Sequence, residues 1–144
     1  MSTFVEKQTE QKISRVPRRG MLLSYFWFGC LFALGVVIQV FLAGAGIFAA
    51  GNMWPIHTMF GSMLALFPIV LFILALVGRL PKFATWSSVI LFVLVGIQSP
   101  LIAVPQQAHA PIVSALHPVN AMAIFALIVV VDVLIWKRVR ATAE

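Results

Sequence analysis

PIHTMFGSMLALFPIVLFILALV, residues 55–77, runs for 23 positions without a charged side chain. A helix rises about 1.5 Å per residue, so this stretch reaches about 34 Å and exceeds the roughly 30 Å hydrocarbon core of a bilayer. Three further stretches are long enough by the same measure, at 21–50, 84–104 and 114–136, the last with a single charge, Asp132. Short connections at 51–54, 78–83 and 105–113 separate them, and each contains Gly or Pro, which interrupt helices. Loops this short make consecutive helices antiparallel neighbours. The expected fold is all-α: a transmembrane four-helix bundle running up, down, up and down.

The composition agrees. Of 144 residues, 62% are hydrophobic and 10% charged, with a mean hydropathy of +1.05. Soluble domains carry about 45–50% apolar and about 25% charged residues. The single cysteine, Cys30, excludes a disulfide scaffold. A net charge of +6 would suit nucleic acid, but its distribution excludes that partner. Between Gly20 and Trp136 the only formal charges are Arg79, Lys82 and Asp132.

Arg15, Arg18 and Arg19 precede the first span, Arg79 and Lys82 lie between the second and third, and Lys137, Arg138 and Arg140 follow the fourth. The other two loops carry no Lys or Arg, so the positive-inside rule puts both termini in the cytoplasm. The chain divides into a polar, basic arm (1–20), the membrane domain (21–136) and a short basic tail (137–144). A cleaved signal peptide has an apolar part of only about 7–15 residues, so the longer first span reads as a retained helix.

Within the apolar background a polar pattern repeats. Val37-Ile38-Gln39-Val40 in the first span parallels Gly96-Ile97-Gln98-Ser99 in the third. His57 follows Gln39 by 18 residues and His117 follows Gln98 by 19; four residues after each histidine comes a small residue, Gly61 or Ala121. Both histidines open a span that starts on the outer side, which puts them at matched depth on diagonal helices. Such a pair can grip a flat cofactor from two sides, and small residues at i+4 share the histidine face and leave room for it. Imidazole is an axial ligand of haem iron, and two of them favour electron transfer over oxygen chemistry. The second ring nitrogen needs an acceptor, for which Gln39, Gln98 or a backbone carbonyl can serve. The bland reading puts each histidine at the membrane–water interface, wetted by its loop.

His109 falls in an outer loop and reads as solvated. Zinc does not fit two histidines lacking a nearby thiolate or carboxylate. Asp132, close to the basic end of the last span, reads as a snorkelling carboxylate paired with Arg79 or Arg138. Trp27, Trp54, Trp86 and Trp136 read as interface anchors. Pro68 is expected to kink the second span, and Asn120 to hydrogen-bond between helices.

Trp54-Pro55-Ile56-His57 and Leu116-His117-Pro118-Val119-Asn120-Ala121, taken together, resemble one half of the haem A synthase family, and more closely its small single-unit bacterial relatives. The resemblance covers about 36–134. It implies a four-helix unit in the bacterial cytoplasmic membrane whose histidines on helices two and four, here His57 and His117, address a haem at the outer side. The sequence departs from the synthase pattern in three ways. Trp54 stands where that family places a carboxylate, the outer-loop cysteine pair is missing, and there is no second four-helix half. What remains is haem b on two histidines.

The expected function is therefore a b-type cytochrome or haem-bearing subunit, exchanging electrons with a quinone or a larger membrane redox complex. Histidine also ligates modified haems and chlorophylls, so the macrocycle stays open. The alternative is a cofactor-free accessory subunit of a respiratory or photosynthetic complex, with the basic termini docking on partners or anionic lipid. A transporter is disfavoured, because beyond Gln39 and Gln98 there is little polar material near the midplane.

Overall fold

A computed structural model describes residues 19–49 and 52–142. Six α-helices and one 3-10 turn build four spans: α1 (Arg19–Phe48), α2 (Trp54–Leu64), α3 (Leu66–Val77), α4 (Lys82–Gly96), α5 (Pro100–Gln107), the turn Pro111–Ala115 and α6 (Leu116–Ala141). α2 with α3 forms the second span and α4 with α5 the third, and all four spans are long and apolar enough to cross a membrane. Most of the expected N-terminal arm lies outside the described residues, whereas Arg19 and Gly20 already belong to α1. The basic tail is no separate segment as far as it is described: α6 continues through it to Ala141.

The spans close a ring in which the first packs on the second and fourth, and the third on the second and fourth. In α1 the buried positions include Leu22, Tyr25, Gly29, Phe32 and Val36, with Gly35 beside the last; in α6 they include Ile124, Ile128, Val131 and Ile135. Alternating steps of three and four residues make a seam with a mean period of 3.5, the pattern of helices packed nearly side by side. Large side chains outside this seam, such as Leu31, Phe41, Ile73 and Met122, face outward. In a bilayer that surface meets lipid instead of water, and the apolar outside carries no penalty.

Close packing at the seam depends on small residues, as membrane helices require. A Cβ on Gly35 would lie 2.5 Å from Leu64 Cδ2, so the second span seats against that glycine. Phe32 and Phe67 stack beside it with ring centroids 5.6 Å apart. Toward the end that carries the termini, Tyr25 crosses the diagonal from the first span to the third. Its hydroxyl lies 3.2 Å from the Ala84 carbonyl and 3.1 Å from Ser88 Oγ.

Proline breaks two of the spans. Pro68 has no N–H for the carbonyl four residues back, that of Leu64, and its ring crowds that oxygen. The helix accordingly stops at Leu64 and restarts at Leu66. Pro100 stands in the same relation to Gly96, where α4 ends, and a turn intervenes before α5 begins. The third span is thus interrupted where the sequence suggested an unbroken helix. Beyond the breaks α2 leans on α1, and α5 leans on the 3-10 turn and α6; among the described residues α2 and α5 form no packed pair. At the end opposite the termini the second and third spans thus no longer pack on each other.

Two helix ends share one device. Leu80 N–H bonds to the Ala75 carbonyl and Arg79 N–H to that of Leu76; Ala110 and His109 repeat this with Pro105 and Gln106. These are Schellman endings, which put one residue in the left-handed region. Here Arg79 (φ 49°) and His109 (φ 56°) take the place that glycine usually fills.

Candidate functional site

The end of the bundle beyond the two breaks holds His57, in the first turn of α2, and His117, second residue of α6. Each histidine reaches a backbone carbonyl of a neighbouring span: His57 Nδ1 lies 3.2 Å from the Gln39 carbonyl and His117 Nδ1 lies 3.0 Å from that of Gln98. A carbonyl can only accept, so in each ring Nδ1 carries the proton. In the neutral ring that assignment leaves Nε2 with its lone pair, the tautomer in which histidine binds a metal. The repeat read from the sequence is the same hydrogen bond made twice.

The break in the third span supplies one of these acceptors. In an unbroken helix the Gln98 carbonyl would take the N–H of Ile102. That N–H bonds to Ser99 instead, at 3.1 Å, and the Gln98 oxygen is left for His117. Asn120, one turn on, donates to the Leu94 carbonyl at 2.7 Å and ties α6 to α4 below the histidine. This is the interhelical bond expected of it.

Around His57 the network is reciprocal. Gln39 Nε2 donates to the His57 carbonyl at 2.8 Å while the His57 ring donates back to the Gln39 carbonyl. Gly61 makes this possible, because a Cβ there would stand 2.5 Å from Gln39 Nε2. The room that Gly61 leaves is thus filled by the Gln39 amide. Ala121, its counterpart, is half-buried one turn after His117. Trp54 packs edge-on to the His57 ring, with centroids 5.7 Å apart.

The two imidazoles meet across the diagonal of the bundle, their ring centroids 6.3 Å apart and their planes 54° to each other. Two imidazoles bound through Nε2 to opposite sides of one metal, at about 2.0 Å per bond, have centroids about 6.4 Å apart. Donor type, tautomer and centroid spacing would allow His57 and His117 to hold one metal between them. Among the described residues no group of three or more His, Cys, Asp or Glu gathers to hold a bare ion. A metal here would need most of its ligands from elsewhere, as a macrocycle provides.

Three more polar atoms belong to this end of the spans. Gln39 Oε1, Gln98 Oε1 and Ser114 Oγ are buried without a hydrogen-bond partner. The main-chain carbonyls of the glutamines take the imidazole bonds, Gln39 adds its side-chain Nε2 on the His57 carbonyl, and both side-chain oxygens stay unused. The sequence repeat pointed to the glutamines, whereas Ser114, in the 3-10 turn just before His117, carries no motif. His109 stays apart from the pair. It is exposed and serves as the left-handed residue that ends α5.

Asp132 is buried, 6% exposed, at the far end of the bundle. Its carboxyl lies against Gly29, where a Cβ would collide with it, and beside the Cys30 thiol; Oδ1 has no hydrogen-bond partner. It is not the exposed, snorkelling carboxylate that its position near the basic end suggested.

The profile of a family described as "Family of unknown function (DUF6220)" matches residues 39–104. The matched segment includes Gln39, His57, Gly61 and Gln98 and stops before His117. Comparison with curated proteins and with solved structures gives no match.

Proposed function

We propose that this protein is a membrane-embedded b-type cytochrome, with His57 and His117 as the two axial ligands of one haem at the end of the bundle opposite the termini. The single observation that carries the reading is the pair of imidazoles 6.3 Å apart, each with Nδ1 engaged by a carbonyl and Nε2 left as a lone pair. By the distribution of Arg and Lys, that end faces away from the cytoplasm. Haem iron with two imidazole ligands has no open position and exchanges single electrons.

The chain's own residues set the conditions for that exchange. The Gln39 and Gln98 carbonyls hold the rings in one tautomer and one orientation, which raises their basicity as ligands. Reciprocal bonds fix His57 to α1, and Asn120 fixes the base of the His117 turn to α4. The partners that this function requires are an electron donor and an acceptor, a quinone or a larger redox complex in the bacterial cytoplasmic membrane.

The reciprocal Gln39–His57 bonds also favour a second reading, in which the polar layer only clamps helices of a cofactor-free accessory subunit. Electron paramagnetic resonance of the oxidised protein, purified from haem-sufficient cells, separates the two. The cytochrome gives a low-spin bis-imidazole ferric signal that becomes high-spin in His57→Gly and returns when imidazole is added. Folded protein without a ferric haem signal would overturn the proposal and leave the clamp.

A further inference from the structure

A cavity of about 580 Å³ opens at the end of the bundle that carries the termini. Three separate elements each bring a cation to it: Arg79 from the turn after α3, Lys82 from the start of α4 and Arg138 from the last turn of α6. Among the described residues no Asp or Glu lines it. α4 begins beside the cavity with neither a capping side chain nor an acidic residue in its first turn, so the helix dipole adds to the positive field.

The basic residues of this end are thus divided. Lys137 and Arg140 belong to the same end but stand along the opposite side of α6, where the Arg140 guanidinium sits 5.8 Å over the Trp136 ring. Excess positive charge on one side of a membrane is enough to orient the chain and needs no particular arrangement. Arg79, Lys82 and Arg138, far apart in sequence, are instead gathered around one space. Like charges so placed repel one another, and an anion between them relieves that repulsion.

The position selects the anion. The end of a crossing span lies at headgroup level, where lipid phosphate is the abundant negative group. Trp86 lies one turn into the membrane from Lys82 on the same face of α4 and is 65% exposed, so an apolar surface leads away from the cations along the span. A soluble phosphate shares the charge but makes no use of that surface.

We propose that this cavity seats the headgroup of an anionic phospholipid from the leaflet on the side of the termini, its phosphate among Lys82, Arg138 and Arg79 and an acyl chain running past Trp86. A zwitterionic lipid brings its own cation beside the phosphate, which the three basic side chains repel, so the site prefers a net negative headgroup. This proposal does not depend on the haem.

The test is native mass spectrometry of the delipidated full-length protein in detergent, titrated with phosphatidylglycerol or phosphatidylcholine. One phosphatidylglycerol per chain is expected to bind about tenfold or more tightly than phosphatidylcholine. Lys82→Gln with Arg138→Gln should weaken it about twenty-fivefold, since each basic residue near the surface is worth about fivefold. Lys137→Gln with Arg140→Gln removes the same charge from the same end and, acting only through screened distance, should weaken it by less than about threefold. All four side chains are exposed, so neither pair of changes disturbs the core. Ala141→Trp fills the cavity, which Ala141 lines, without altering charge and should abolish the preference. Equal binding of the two lipids, equal effects of the two double variants, or an unchanged preference in Ala141→Trp would each overturn the proposal. Displacement of the lipid by an equal concentration of glycerol phosphate would overturn it in favour of a soluble phosphate.

Discussion

Gly61 and Gln39 form one unit, and a double-mutant cycle can measure it. A Cβ added at Gly61 would lie 2.5 Å from Gln39 Nε2, so in Gly61→Ala the amide must leave and its 2.8 Å bond to the His57 carbonyl is lost. Interhelical hydrogen bonds in membranes are worth about 0.6 kcal/mol on average and at most about 1.7. Against this, alanine in a helix interior is better than glycine by about 1 kcal/mol. Gly61→Ala alone should therefore leave stability within about 1 kcal/mol of the parent. In a Gln39→Ala background no amide stands in the way, and the same change should stabilise by about 1 kcal/mol. The coupling between the two sites is then about 0.6–1.7 kcal/mol. Reversible unfolding in mixed detergent micelles, followed by tryptophan fluorescence, gives all four stabilities. Equal effects of Gly61→Ala in both backgrounds, within the roughly 0.3–0.5 kcal/mol expected of independent sites, would refute the contact.

Three other perturbations follow from the same structure. Gly29→Ala drives a methyl group into the Asp132 carboxyl and should destabilise by about 1–3 kcal/mol in the same unfolding assay, a loss that Asp132→Ala in combination should largely relieve. His109→Gly places glycine where φ is 56° and should stabilise by up to about 1 kcal/mol, with no change in any property of the His57–His117 pair. Pro68→Ala restores an N–H for the Leu64 carbonyl, so amide exchange around Ala65 should slow and the break between α2 and α3 should close, which a spin-label distance between the two halves would record.

The spans were legible because apolar length is a local property: 23 uncharged residues at 55–77 leave few alternatives to a crossing helix. The histidines and glutamines were legible for a related reason, since repeated polar positions stand out against an apolar background. What could not be read was which atoms they use. The acceptors are the Gln39 and Gln98 carbonyls, and the second of these is available only because the helix breaks ahead of Pro100. A proline marks a break, but not which freed carbonyl a ring on another span will find. The role of Gly61 was likewise hidden, because a glycine leaves room without saying what enters it. Asp132 depended most on distant residues. Its depth follows from Gly29, far away in the chain, and neighbours such as Trp136 and Lys137 pointed instead to an exposed, paired carboxylate.

The measurement that tests the central claim most directly is the dithionite-reduced minus oxidised absorption spectrum of the detergent-purified protein, taken beside His57→Ala and His117→Ala. A sharp b-type α-band in the unaltered protein, lost or shifted in both variants, is the result that two axial imidazoles predict. A band that survives both substitutions unchanged, or a folded protein from haem-sufficient cells with no band at all, would contradict it.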